Sequence, residues 1–236
     1  MLKFLGNGSC FNTKAGNNTC YYYDKEDKHM LFIDCGEGTF EKIERNHLLD
    51  GVKNVDILVT HLHSDHVGSL PSLLFFCQYA LGIKPTVIYP DKETIGEYLK
   101  LSGNEPDEFK IVCPNEYEKF SVIDIEQEHS KFIKAYGYLL NIDGKTIYYS
   151  GDAHTINPLV LERFNNGQID YFYQDVTRYE NFAHMNIDAL NEIILPQYKD
   201  KVICMHFDDD IIKEKTERLG FKCATVEKNG HLMDRD

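Results

Sequence analysis

The chain has 236 residues, 42 % hydrophobic and 27 % charged, which suits one globular domain spanning 1–236 and excludes a disordered or fibrous chain. Its net charge of −13 argues against a broad nucleic-acid-binding face, and so against long RNA as a partner. Seven singly scattered cysteines without a Cys-x-x-Cys argue against a disulfide framework and for a reducing, cytoplasmic setting; with no leader-like stretch and no bilayer-length apolar run, no membrane partner is expected.

Leu2-Lys3-Phe4-Leu5 reads as a short strand. The Gly- and Asn-rich loop over 6–18 could bring backbone amides to an anion or simply turn the chain. Thr19 to Tyr23 and Met30 to Ile33 form a predicted hairpin across the charged turn Asp24 to Lys28. Gly38 to Leu49 has helical spacing, with Phe40, Ile43 and Leu48 inward. Val55 to Val59 is a buried strand, after which Leu70, Leu73, Leu74, Cys77 and Ala80 recur at helical spacing as far as Leu81. A strand follows at Thr86 to Tyr89, a helix at Asp91 to Leu101, and strands at Lys110 to Val112 and Phe120 to Glu126. Gly137 to Ile142 and Lys145 to Tyr149 pair across Asp143-Gly144, a strong hairpin signal. The remaining predicted elements are a helix at Leu159 to Asn165, a strand at Ile169 to Tyr173, a helix at Ile187 to Leu195, a strand at Lys201 to Met205, a helix at Asp209 to Leu219 and a strand at Lys222 to Val226. No fixed-period repeat is visible, yet each half runs strands, helix, strands, helix, and no linker divides them.

The chemistry concentrates at Thr60-His61-Leu62-His63-Ser64-Asp65-His66-Val67-Gly68-Ser69-Leu70-Pro71. Three histidines and an aspartate fall within six positions, between a predicted strand and a predicted helix, where binding sites gather in α/β sheets. His61 and His63 are two apart on extended backbone, so their rings can point the same way. Asp65 and His66 follow as the chain turns, and can face a second point nearby. Imidazole and carboxylate are the ligands zinc, manganese or iron favour. His129, Asp152 in Ser150-Gly151-Asp152, and His206 each sit just past a predicted strand end, as the first cluster does. Taken singly they read as a surface histidine, a turn residue and a buried histidine; their shared edge is the reason to group them.

The His-x-His-x-Asp-His stretch resembles the signature motif of the metallo-β-lactamase superfamily. Gly68-Ser69-Leu70-Pro71-Ser72-Leu73-Leu74 and Asp34-Cys35-Gly36-Glu37-Gly38-Thr39 look like its phosphodiesterase branch, which includes the transfer-RNA 3′-end nucleases of the RNase Z type. The resemblance runs from Phe4-Leu5-Gly6 to His206. It implies an αββα four-layer sandwich and two divalent metal ions, zinc first with manganese as the alternative. His61, His63 and His129 would bind one ion and Asp65, His66 and His206 the other, with Asp152 bridging. His184, in Ala183-His184-Met185-Asn186, matches a histidine that serves there as proton donor or charge stabiliser; by itself it reads as the neighbour of a helix cap. Asp65 would also orient the attacking hydroxide held between the ions. His154 is read as a non-ligand, and His29, His47 and His231 as surface or structural.

Within that branch, transfer-RNA nucleases carry a long RNA-binding arm between the third histidine and the bridging aspartate. Here His129 and Asp152 are 23 positions apart (152 − 129), filled by one hairpin. The compact form, the loop from Gly6 to Asn18 and the stretch Phe75-Phe76-Cys77-Gln78-Tyr79 look most like phage and bacterial phosphodiesterases that degrade cyclic nucleotides to defeat Pycsar-type immunity. The expectation is therefore a binuclear metal-dependent phosphodiesterase acting on a small diester, a cyclic nucleotide, as a homodimer. The alternative is RNase Z-type processing of transfer-RNA 3′ ends. Ester, lactone or thioester hydrolysis shares the first motif, and a metal-binding scaffold without turnover is the reading from another class. Tyr21, Tyr136, Tyr171, Tyr173, Tyr179 and Phe182 are candidates for stacking on a base.

Overall fold

In the computed structural model, which describes residues 1–226, the chain forms two units, each built on one six-stranded sheet. The first comprises Met1–Asn7, Thr13–Cys113 and, of the described residues after Ala224, Thr225 and Val226. Its elements are β1 (Lys3–Gly6), β2 (Thr19–Asp24), β3 (His29–Ile33), α1 (Thr39–Arg45), β4 (Asn54–Leu58), α2 (Ser64–Val67), α3 (Leu70–Phe75), β5 (Thr86–Ile88), α4 (Lys92–Leu101) and β6 (Lys110–Val112). The strands lie in sequence order; β1, β2 and β3 pair antiparallel, and β3 to β6 pair parallel.

The hairpin of β2 and β3 is the predicted one. Asp24 Oδ1 accepts the amides of Glu26 and Asp27, which closes the charged turn. All five residues of β3 are buried, as expected of a strand flanked on both sides within a sheet. Two helices differ from expectation. α1 ends at Arg45 rather than Leu49, because His47 takes left-handed backbone. The helix expected from Leu70 to Leu81 is present as α3 as far as Phe75 and turns to π at Phe76–Ala80; the ligand turn before it holds a further short helix, α2, separated from α3 by Gly68 and Ser69, with Pro71 opening α3. α4 starts where Asp91 accepts the Thr94 amide.

The second unit comprises Gly8–Asn12 and Pro114–Ala224. It contains β7 (Ser121–Gln127), β8 (Ala135–Ile142), β9 (Lys145–Tyr149), α5 (Pro158–Asn165), β10 (Tyr171–Asp175), α6 (Ile187–Ile193), β11 (Val202–Met205), α7 (Asp210–Arg218) and β12 (Lys222–Cys223). β7, β8 and β9 are antiparallel neighbours, and β9 to β12 continue in parallel. Asp143 and Gly144 both have positive φ, the backbone that a two-residue hairpin turn needs. An aromatic stack fills the core, with Tyr148 and Phe164 rings each 4.6 Å from that of Phe172. β10 runs two residues later than expected, and Val226 lies outside β12, bridged instead to Phe4. No helix among the described residues is long and apolar enough to cross a membrane.

Candidate metal centre

In the first unit the site grows from the carboxyl ends of β3 and β4, which pair in parallel and so end at one edge. β3 is followed at once by Asp34, fully buried and in left-handed backbone. Its Oδ1 accepts the Thr60 amide at 2.8 Å, and its Oδ2 accepts the Thr60 hydroxyl and the His66 Nδ1 proton, each at 2.8 Å. Burial raises the proton affinity of Asp34, and the His66 charge and these hydrogen bonds oppose that. Because Nδ1 of His66 donates to Asp34, its Nε2 is the nitrogen left to ligate, 3.4 Å from Asp65 Oδ2. His61 Nε2 and His63 Nδ1 converge to 2.9 Å, as the two-residue spacing predicts.

The Asp34-Cys35-Gly36-Glu37-Gly38 stretch is packed onto this turn. The Cys35 amide donates to His66 O at 2.7 Å and the Glu37 amide to Ser64 O at 3.2 Å. A Cβ on Gly36 would lie 1.9 Å from Asp65 O, so only glycine fits there. The stretch therefore acts as the backing that fixes the ligand turn.

In the second unit β9, β10 and β11 are parallel neighbours, and their carboxyl ends deliver Asp152, Asp175 and His206 to one edge. Gly151 and His206 both adopt positive φ as the chain leaves β9 and β11. For a histidine this is uncommon backbone, of the kind retained at functional sites. The loop from β10 to α6 brings in His184. That loop is closed by Thr177 N to Met185 O at 2.9 Å and Ile187 N to Thr177 O at 3.0 Å. Asn181 Oδ1 accepts the amides of Ala183 and His184 at 2.7 and 2.8 Å. One ligand atom from each of Asp152, Asp175, His184 and His206 lies within 4.8 Å of the others. His129, past β7, donates through Nδ1 to Ala183 O at 2.9 Å, and its Nε2 is 3.8 Å from Asp152 Oδ2.

Sequence reasoning missed Asp175. It is fully buried, and its Oδ2 takes the His184 Nδ1 proton at 2.9 Å. Its Oδ1 accepts from Gln174 Nε2 at 2.7 Å and from the Ala153 amide at 3.2 Å. Burial pushes the His184 pKa down, but the Asp175 hydrogen bond and the charges of Asp152, Asp175 and Asp208 outweigh it and raise the value to about 9. The signal for Asp175 was an acid at the end of an apolar strand, the rule that had picked out Asp152.

The donors suit divalent cations. Each unit presents imidazole and carboxylate ligands, and His66 and His129 are oriented by an acceptor on the other ring nitrogen, the usual arrangement around a bound metal. Buried carboxylates such as Asp152 and Asp175 are costly without cationic partners. Other histidines stand apart from these clusters. His154 lies with its amide on Glu128 O and its ring Nδ1 3.4 Å from His184 O, as a buttress. His29 is buried against Asp56, His47 is exposed beside Asp50, and His231 lies outside the described residues.

Comparison with known proteins adds to this geometry. The model of the family described as anti-Pycsar protein Apyc1 matches residues 1–229. An anti-Pycsar protein Apyc1 from Paenibacillus xerothermodurans is 27 % identical over 230 residues, covering 89 % of this chain and 88 % of that one. A ribonuclease Z from Methanococcus maripaludis is 31 % identical over 249 residues, covering 95 % and 73 %. The metallo-β-lactamase fold protein YhfI from Bacillus subtilis superimposes with a TM-score of 0.72 at 15 % identity, covering 97 % and 96 %. The chain therefore has the metallo-β-lactamase fold expected from its motifs.

Proposed function

The chain belongs to the anti-Pycsar protein Apyc1 family and is a metal-dependent hydrolase, and from this we propose that it is a binuclear phosphodiesterase acting on a small diester, a cyclic nucleotide. In this reading His61, His63 and His129 would hold one ion and Asp65, His66 and His206 the other, with Asp152 available to both. Zinc suits the ligand set, and manganese is the alternative. Divalent ions at such ligands supply a Lewis acid that activates water near neutral pH and clamps a phosphate.

The chain's own groups do the rest. Asp65 accepts the proton of the attacking water. His184 donates a proton to the leaving oxygen or balances charge on the phosphoryl group. Asp175 holds Nδ1–H of His184, so Nε2 is the edge turned to substrate. The His184 side chain is 22 % exposed, against 2 % or less for Asp152 and Asp175, which marks it as the member a substrate can reach. The observation that carries the reading is this cluster of two buried acids and two imidazoles, with Asp152, Asp175 and His206 at adjacent strand ends and His184 on the loop after β10.

A small substrate is supported by the span between His129 and Asp152, which holds the β8–β9 hairpin and no long arm, and by the acidic balance of the chain. The test is a panel of 3′,5′-cyclic mononucleotides beside precursor transfer RNA, before and after chelation and reloading with zinc or manganese. Metal-dependent cleavage of cyclic nucleotides supports the proposal. Cleavage of the transfer RNA instead supports the RNase Z-type alternative, and no hydrolysis by fully loaded protein refutes both. A cytoplasmic homodimer belongs to the same reading. The seven singly scattered cysteines, with no Cys-x-x-Cys among them, support a reducing compartment, and sedimentation tests the dimer.

A further inference from the structure

Most aromatic candidates for base recognition are closed off. Tyr21, Tyr136 and Tyr173 are buried in the cores of their units, and one face of the Tyr179 ring is covered by the Arg178 guanidinium at 4.6 Å. Two phenylalanines behave differently. Phe132 is 95 % exposed and Phe182 68 % exposed. Phe132 lies three residues after His129, and Phe182 two residues before His184. The two segments are joined by the hydrogen bond from His129 Nδ1 to Ala183 O, and the His129 and His184 rings are 5.1 Å apart. Short side-chain turns hold both segments. Ser130 Oγ accepts the Phe132 amide at 3.3 Å, and Asn181 Oδ1 accepts those of Ala183 and His184. Lys131 and Lys134 flank Phe132, a local positive charge in a chain of net charge −13, which favours an anionic ligand.

We infer that Phe132 and Phe182 form a stacking platform for the heterocyclic base of the substrate, beside His129 and His184. This rests on the phosphodiesterase reading and extends it to the base. Base–aromatic stacking is tolerant of sequence because every base has a π-face, so the platform takes purines and pyrimidines alike. It also separates a nucleotide from a base-free phosphate ester.

The test compares binding of a cyclic nucleotide phosphorothioate with binding of inorganic phosphate, by calorimetry on metal-loaded full-length protein. The variants are Phe132→Leu, Phe182→Leu and Phe182→Trp, with Leu159→Ala as a control at an exposed apolar residue on α5. Each leucine variant lowers the ratio of nucleotide to phosphate affinity by about fivefold to a hundredfold, the range of one base–aromatic stack. Phe182→Trp restores the ratio, and Leu159→Ala leaves it unmoved. Equal loss for nucleotide and phosphate, no loss with leucine, or a wild-type protein that binds the nucleotide no better than phosphate each overturns the inference. If the ratio falls as expected while no cyclic nucleotide is hydrolysed, the platform stands and the hydrolase reading fails.

Discussion

Replacing Asp175 by Asn tests whether His184 works through it. Asp175 Oδ1 must remain an acceptor, because Gln174 Nε2 and the Ala153 amide both donate to it. The amide nitrogen of Asn would then occupy the position of Oδ2, facing His184 Nδ1 donor to donor. The ring must move its proton to Nε2 as a neutral tautomer or turn away, and either change spoils its role toward substrate. The bond lost is charge-assisted and its acceptor is fully buried, a kind that contributes about 1.5–3 kcal/mol. At about 1.4 kcal/mol per decade, kcat should fall roughly 10- to 150-fold, with KM nearly unchanged. The assay is steady-state hydrolysis of a cyclic nucleotide, with metal content measured on the same sample and ¹⁵N shifts of His184 reporting its tautomer. Unchanged kcat at full metal loading would refute the reasoning. Loss of an ion, with turnover rescued by excess metal, would make Asp175 a ligand rather than a positioning residue.

Asp34→Ala leaves the Thr60 amide, the Thr60 hydroxyl and His66 Nδ1 without their buried acceptor, so unfolding free energy should drop by about 3 kcal/mol and metal affinity by roughly 10- to 100-fold, measured by urea melts and metal titration. Gly36→Ala puts a Cβ 1.9 Å from Asp65 O, so the ligand turn must shift; a loss of at least about 1–3 kcal/mol with impaired metal uptake is expected, and wild-type uptake would refute the packing argument. Burial pushes the thiols of Cys35 and Cys77 up to about 12, whereas Cys10 is exposed; iodoacetamide at pH 8 should label Cys10 first and spare Cys20, Cys35, Cys77 and Cys204 until the protein unfolds, as read by mass spectrometry.

What could be read from the sequence was what periodicity and turn chemistry encode locally. Both hairpins, with their turns at Asp24 to Lys28 and Asp143-Gly144, fall where expected, since each turn is closed by residues within it. α4 begins on its Asp91 cap, and α6 on Asn186. The short helix α2 inside the ligand turn and the end of α1 at Arg45 were not legible. Apolar spacing runs on past Arg45 to Leu48, while tertiary packing holds these turns: Ser69 Oγ accepts the Phe40 amide, and the Gly68 Cα faces Ser64 O and Glu37.

The missed site residue has the same kind of cause. Apolar pattern starts the tenth strand at Ile169, yet Asp170 is spent on its start, with its amide on Thr146 O and its carboxylate on the Thr146 amide and Lys145. At the other end Gln174 and Asp175 satisfy one another through a 2.7 Å side-chain hydrogen bond, so two polar residues continue a strand that hydropathy ends at Tyr173. The strand is thereby moved two positions toward the site. Asp34 follows Met30-Leu31-Phe32-Ile33 in the same way. In both cases an acid at the carboxyl end of a buried strand, the last residue of β10 or the first after β3, accepts a proton from a histidine of a neighbouring segment. Parallel register brings such strand ends to a common edge, so any titratable residue in that position belongs on the list of site candidates whether or not a motif names it.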